Sequence, residues 1–152
     1  MTSRLTRTTH LLSLIKPLID LGKSSHEGID PTLCDLLLIR ASQINGCSGC
    51  LSMHTREARA HGESEERLYQ LDAWRDSPLY SERERAALGW TEALTRLPER
   101  GAPDELYAAL QAHFSEEEQI RITLLIGAIN AFNRLNVGFR LGDPAAATRK
   151  AA

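Results

Sequence analysis

Residues 41–54 read Ala41-Ser-Gln-Ile-Asn-Gly-Cys-Ser-Gly-Cys-Leu-Ser-Met-His54, a turn followed by the start of a helix. Asn45-Gly46 is a turn signal, and the residues from Cys47 onward favour a helix. On that helix Cys50 follows Cys47 by three residues, and His54 follows Cys50 by four, so the three side chains share one face near its N-terminus. Two thiols and a titratable base in one place indicate either redox chemistry or a metal site.

The helix expected before this turn is nearly all apolar, but it contains Asp35. A helix this apolar should be buried on most sides, so a carboxylate within it needs a partner. Counting outward from a turn centred near Asn45 places Asp35 level with His54 on two antiparallel helices. We therefore expect Asp35 to accept a hydrogen bond from one ring nitrogen of His54, while the other ring nitrogen faces Cys50.

Such a carboxylate–imidazole–thiol relay would lower the pKa of the Cys50 thiol, because the imidazole takes the thiol proton and the helix N-terminus stabilises the thiolate. Cys47 lies closer to the turn and could attack a sulfenic acid formed on Cys50, which closes a disulfide. The residues thus predict Cys50, Cys47, His54 and Asp35 as the catalytic set. Glu57, three residues after His54, is an alternative acid partner that we expect on a solvated face.

The same residues leave a zinc site open as a second interpretation. The Cys-x-x-Cys pair and His54 supply three potential ligands, and Cys34, Asp35 or His61 could be a fourth. A structural zinc usually takes its ligands from two separated pairs, and the chain has only one such pair. We therefore favour redox chemistry and expect neither a metal nor a cofactor; His61 is otherwise a helix-end residue, and Cys34 packs as a small apolar residue.

The remaining sequence predicts an all-α bundle of about six to seven helices. No stretch alternates with the two-residue period of a strand, and short turns join long amphipathic segments. Asp30-Pro31 predicts a capped helix start, and Ser81 and Ser115 each open a capping box. The last helix is apolar nearly all round, so it is either a central core element or an interface. The expected helices span residues 9–21, 32–43, 47–61, 64–71, 81–97, 103–113 and 115–137.

Two finer expectations concern polar or flexible residues within these helices. Gly22 should end the first helix, because glycine is a common helix terminator. Asn130 and Asn133 are polar residues in an apolar helix, and we expect them to tie backbone groups.

Length and composition fit one domain over residues 1–152, with a flexible tail after about residue 143. The net charge is −2 and the basic residues are dispersed, so we expect neither nucleic acid nor a membrane as partner. Three cysteines do not form a secreted disulfide framework. The acid-free N-terminus could be a transit peptide, but it also reads as an amphipathic helix, and we expect a cytoplasmic protein.

Two segments carry a resemblance to a known family. Residues 36–59, LLLIRASQINGCSGCLSMHTREAR, resemble the signature of the alkylhydroperoxidase D (AhpD)-like proteins within the carboxymuconolactone decarboxylase superfamily. Residues 128–140, AINAFNRLNVGFR, resemble the last helix of the same group. The resemblance implies an AhpD-like all-helical fold, a homo-oligomer and thiol-dependent reduction of hydroperoxides.

The resemblance also implies roles for individual residues. Cys50 matches the cysteine that becomes sulfenic acid, Cys47 its resolving partner and proton donor, and His54 the relay histidine. The family's relay glutamate falls at Asp35, whose carboxylate is one methylene shorter. The family's best-known members also have a histidine between the cysteines, where this chain has Gly49.

These observations predict an antioxidant enzyme with peroxiredoxin activity, which reduces organic hydroperoxides with electrons from a thiol or dithiol donor. The Cys-x-x-Cys pair would cycle between dithiol and disulfide. The alternative is a non-catalytic redox-sensing or zinc-binding helical module. A decarboxylase is less favoured, because that chemistry has no use for the cysteine pair.

Overall fold

The computed structural model describes residues 3–5 and 11–142. These residues form helices and connecting segments without a β-strand, which confirms the all-α prediction. The expected start of the first helix before residue 11 and the tail after residue 142 lie outside the described residues. The helices are α1 (Leu11–Ser25), α2 (Pro31–Ile44), α3 (Ser48–Ala60), α4 (Glu65–Gln70), a 3-10 turn (Leu71–Ala73), α5 (Glu82–Thr95), α6 (Leu97–Arg100), α7 (Asp104–His113) and α8 (Glu116–Phe139).

The sequence signals for helix starts are confirmed. The Asp30 carboxylate accepts a hydrogen bond from the backbone N–H of Leu33 at 3.0 Å, with Pro31 in the first turn. Ser81 and Ser115 both form complete capping boxes, in which the serine and the glutamate three residues later bond each other's backbone N–H. The single-turn helix α6 and the 3-10 turn are absent from the expectation, which continued the preceding helices to residues 97 and 71.

The expectation that Gly22 ends the first helix is wrong, because α1 continues to Ser25. The ring of Phe132 on α8 lies 3.6 Å from the place where a Cβ of Gly22 would stand. A Cβ at this position would make an ordinary van der Waals contact with that ring, so the packing of α1 on α8 does not require a glycine here. Gly28, at φ 76° in the left-handed region, lies in the loop that reverses the chain toward α2.

The core is built around α2, which is buried continuously from Leu33 to Ser42 and packs on α3, α5 and α8. Its buried Arg40 pairs with the buried Glu92 of α5 at 2.8 Å, and Trp74 donates to the same carboxylate at 2.9 Å. Two buried charges that neutralise each other avoid the cost of isolated burial. Helix α2, more than α8, is therefore the central element.

Helix α8 packs on α1, α2 and α5 through one face, while other apolar side chains on it stay exposed. Among the described helices, it alone is long and apolar enough to cross a membrane, and core helices commonly share that property. Its first turn carries three glutamates. The exposed apolar side chains of α8 are Ile120, Leu124, Val137 and Phe139.

An asparagine cluster ties the turn between α2 and α3 to α8. The Asn45 side-chain amide donates to the side-chain oxygens of Asn130 and Asn133, both at 2.9 Å. Asn133 in turn donates to the Ser42 hydroxyl at 3.1 Å. The expectation that the α8 asparagines tie backbone groups holds only for Asn130, which donates to the carbonyl of Ile126 at 2.9 Å. Asn130 also donates to the Thr95 hydroxyl of α5 and accepts from Arg134 of its own helix.

Asn45→Ala should lower the free energy of unfolding by about 1–3 kcal/mol, because the substitution leaves two buried amide oxygens on α8 without this donor. Urea denaturation followed by circular dichroism measures the change. Gln111→Ala, at an exposed position of α7, is the control and should change stability by less than about 0.5 kcal/mol. Equal effects of the two substitutions would show that the cluster contributes nothing to stability.

Candidate active site

The two cysteines at the start of α3 are joined in a disulfide, with their Cα atoms 5.4 Å apart. Cys47 is the N-cap of the helix, and its sulfur accepts a hydrogen bond from the backbone N–H of Cys50 at 3.3 Å. Both residues are only 1% exposed. The structure thus holds the oxidised form that a dithiol–disulfide cycle requires.

Asn136 of α8 contacts the second cysteine directly. Its side-chain amide donates to the Cys50 sulfur at 3.2 Å. Sequence reasoning missed this residue, which lies 86 positions further along the chain. A signal existed: Asn136 follows Asn133 by three residues, so both lie on one side of an otherwise apolar helix. A donor at this distance favours the thiolate form of Cys50 once the disulfide is reduced.

His54 is buried beside the cysteines and is held by Glu57. Its Nδ1 lies 2.8 Å from the Glu57 carboxylate, whose side chain is 49% exposed. Because a carboxylate only accepts, Nδ1 carries the proton and Nε2 keeps its lone pair in the neutral ring. Burial lowers the pKa of His54, and the hydrogen bond to Glu57 only partly opposes that effect. The imidazole is therefore a neutral proton acceptor near pH 7.

The expected hydrogen bond between Asp35 and His54 is not formed; Asp35 accepts instead from Nδ1 of His61 at 2.6 Å. The counting assumed a turn centred on Asn45, but α2 ends at Ile44 and α3 begins only at Ser48. The counting therefore placed Asp35 opposite a residue too close to the start of α3. His61 lies two turns beyond His54 on the same side, and it is the histidine that Asp35 reaches.

The Asp35–His61 contact changes the titration of both groups. Burial raises the pKa of Asp35, and the hydrogen bond from His61 opposes that effect. The hydrogen bond to Asp35 raises the pKa of the half-exposed His61. The Asp35 charge still raises the pKa of His54 through space, although it is not the group that orients the ring.

A cavity of about 120 Å³ connects Cys50 and His54. Its walls are mostly apolar and come from α2, α3 and α8. The exposed His26, between α1 and α2, also lines it; its Nδ1 donates to the Gly22 carbonyl at 2.6 Å. The lining residues are His26, Leu38, Cys50, Met53, His54, Ala128, Ile129, Phe132 and Asn136.

The third cysteine, Cys34, lies apart from the disulfide, and no metal site forms around the other candidate ligands in the described residues. Cys34 is buried on α2, and burial raises its pKa to about 12, so it stays a protonated thiol. Within residues 3–5 and 11–142, no group of three or more His, Cys, Asp or Glu side chains is placed to hold a metal ion.

Residues 18–93 match the sequence profile of the carboxymuconolactone decarboxylase family. The chain belongs to this family. The matched segment contains Asp35, both cysteines of the disulfide, His54 and Glu57, but it ends before α8 and Asn136. The family resemblance expected from the sequence is thereby confirmed.

Two bacterial relatives extend this family match over most of the chain. The uncharacterised protein YdfG of Bacillus subtilis is 40% identical over 133 residues, which are 87% of this chain and 89% of YdfG. The uncharacterised protein YnjA of Escherichia coli is 32% identical over 108 residues, which are 71% of this chain and 59% of YnjA.

Solved structures share the fold of this family member. A protein of unknown function from Agrobacterium tumefaciens, described as a candidate antioxidant defence protein AhpD, has a TM-score of 0.89 at 42% identity, covering 94% of this chain and 99% of its own. The debrominase Bmp8 has a TM-score of 0.77 at 24% identity, covering 90% of this chain and 73% of its own. The likeness to the Agrobacterium protein confirms the AhpD-like helical architecture, and the likeness to Bmp8 shows the fold alone.

Glu57→Gln should lower the pKa of His54 further, because glutamine keeps a hydrogen-bond acceptor but removes the negative charge that favours the protonated ring. Asp35→Asn should instead lower chiefly the pKa of His61. Nuclear magnetic resonance titration of the ring protons of both histidines measures the shifts. Glu65→Gln, which removes an acid paired with Arg59, is the control and should leave His54 unchanged. A larger His54 shift in Asp35→Asn than in Glu57→Gln would restore Asp35 as its partner.

Proposed function

We propose that this protein is a thiol peroxidase that reduces small organic hydroperoxides through the Cys47–Cys50 pair. The observation that carries the proposal is the environment of the Cys50 sulfur, which accepts the Asn136 amide proton and shares a cavity with a neutral histidine. The likeness to a structure described as a candidate antioxidant defence protein AhpD supports it.

In the first step, Nε2 of His54 accepts the proton of the reduced Cys50 thiol. The thiolate attacks the terminal oxygen of the hydroperoxide, so that an S–O bond forms while the O–O bond breaks. The leaving alkoxide takes a proton from His54 and departs as an alcohol. Cys50 is oxidised to sulfenic acid, and the peroxide is reduced by two electrons.

In the second step, the sulfur of Cys47 attacks the sulfenic acid of Cys50. Hydroxide leaves and takes up the Cys47 proton as water, and the disulfide forms. The Cα separation of 5.4 Å falls within the usual disulfide range, so this closure needs no large backbone movement. The product is the bond that the structure contains.

In this mechanism Glu57, and not Asp35 as expected from the sequence, is the carboxylate that orients His54. It fixes the tautomer of His54 through Nδ1 and stabilises the imidazolium that forms when the ring accepts the Cys50 proton. Asp35 contributes its charge at longer range. The size and apolar lining of the Cys50 cavity favour compact, uncharged alkyl hydroperoxides as substrates.

The oxidised protein has to be reduced again by a partner. Turnover needs a thiol or dithiol donor to reopen the disulfide, and the reducing cytoplasm supplies such donors. The exposed apolar side chains of α8 suit association with further copies of the chain. The net charge of −2 gives no electrostatic attraction to nucleic acid or to anionic membrane surfaces.

Cys50→Ser should abolish consumption of tert-butyl hydroperoxide, because the hydroxyl cannot replace the thiolate nucleophile. Cys47→Ser should react once and retain a sulfenic acid on Cys50, detected by dimedone labelling and mass spectrometry. Cys34→Ala, outside the site, is the control and should consume peroxide at the rate of the unmodified protein.

Unaltered turnover in Cys50→Ser would refute the peroxidase assignment. One oxidation event per chain, without turnover in the presence of dithiothreitol, would instead indicate a redox sensor.

Asn136→Ala should raise the pKa of the Cys50 thiol by about one unit, because the thiolate loses a hydrogen-bond donor. The thiolate absorbance of Cys50 can be titrated alone in a Cys34→Ala, Cys47→Ser background. Gln111→Ala in the same background is the control. An unchanged thiol titration would show that the amide does not stabilise the thiolate.

A further inference from the structure

The two cysteines of the disulfide line different cavities. Cys50 lines the apolar cavity of about 120 Å³ that also holds His54. Cys47 lines a second pocket of about 400 Å³. Among the described residues, Asn136 alone lines both cavities. The residues around the second pocket are Gly46, Cys47, Ser48, Gly49, Asn136, Val137, Arg140 and Gly142.

The lining of the pocket at Cys47 favours a negatively charged ligand. Ser48 and Gly49 form the first turn of α3, where backbone N–H groups without helical partners point outward and carry partial positive charge. Arg140 adds a full positive charge from the end of α8. The cavity at Cys50 offers an apolar lining instead, so a charged molecule would lose more hydration there.

Arg140 is held in place by the end of α8. It adopts the left-handed conformation, with φ 55°, at the C-cap position where glycine is common. The backbone N–H of Leu141 donates to the carbonyl of Asn136 at 3.0 Å, which closes the helix end. The backbone N–H of Arg140 donates to the same carbonyl, so Asn136 contacts Arg140 through its backbone and Cys50 through its side chain.

We propose that the pocket at Cys47 binds the reductant, a thiol that carries a carboxylate or another anionic group, and that this thiol attacks the Cys47 sulfur. The proposal rests on the proposed redox cycle and names the reductant class for its second half. It assigns separate approaches to the two reactants: hydroperoxide to Cys50 and thiol to Cys47.

The exchange balances with two thiols as the reductant. The first thiolate attacks the Cys47 sulfur, and a mixed disulfide forms while the Cys47–Cys50 bond breaks. The electron pair stays on Cys50 as a thiolate, which the Asn136 amide stabilises. A second thiol attacks the mixed disulfide, releases Cys47 and leaves as the oxidised donor. Attack in this direction regenerates the nucleophile in the cavity where the hydroperoxide binds.

Reduction of the oxidised protein by three thiols of similar size tests the charge preference. Outside the thiol, mercaptopropionate carries a negative charge, mercaptoethanol is uncharged and cysteamine carries a positive charge. For each thiol, the rate in Arg140→Gln is divided by the rate in the unmodified protein, so the intrinsic reactivity of the thiol cancels. The ratio should lie about three- to tenfold below one for mercaptopropionate and above one for cysteamine. For mercaptoethanol it should lie between these two values.

Two further variants separate local charge from net charge. Arg121→Gln makes the same change about 28 Å away along α8 and should give no ordering by thiol charge. Arg140→Lys retains the positive charge and should keep the preference for mercaptopropionate. Equal ratios for the three thiols in Arg140→Gln would overturn the assignment of an anionic reductant.

The attacked sulfur is identified by quenching the mercaptopropionate reaction with an alkylating reagent and fragmenting the peptide in a mass spectrometer. The proposal requires the mixed disulfide on Cys47 and the alkyl group on Cys50; the reverse assignment would overturn it. No peroxide is present in these experiments. Their failure is therefore distinct from failure of the peroxidase test.

Discussion

The hydrogen bonds from the Asn45 side chain to Asn130 and Asn133 join the parts of the molecule on which the site depends. Asn45 is the C-cap of α2 and stands two residues before the disulfide. Its partners lie on α8, and Asn136 follows Asn133 by three residues, about one turn. The contact that holds the turn against α8 therefore also holds an amide donor against Cys50. A displacement of α8 would loosen the turn and remove the donor together.

The two histidine–carboxylate pairs of α3 share a physical pattern. In one pair the histidine, His54, is 10% exposed and its partner Glu57 is 49% exposed. In the other the carboxylate, Asp35, is 5% exposed and its partner His61 is 48% exposed. Each pair places one member at the surface, where charge is well solvated, and that member stabilises a polar group inside. Burial favours the neutral state of His54, and the hydrogen bond from Nδ1 to Glu57 leaves Nε2 as the unprotonated nitrogen.

The two cavities beside the disulfide differ in the side chains that line them. A fold does not by itself specify a reaction, so the side chains at the site have to do so. Apolar residues surround the approach to Cys50, whereas a helix N-terminus and Arg140 surround the approach to Cys47. Size and charge would select the two reactants separately.

The sequence alone determined the helical class, most helix starts and the grouping of Cys47, Cys50 and His54 on α3. These features depend on residues within about four positions of one another, and helical geometry places such residues in a known relation. Spacing along α3 also offered Glu57 as a partner of His54, but only the tertiary structure decided between Glu57 and Asp35. It also decided that Asp35 binds His61 and that Asn136 reaches Cys50. Contacts between helices depend on the offset and rotation of each helix about its axis. Those quantities are set by the packing of whole helix faces, so no spacing along the chain encodes them.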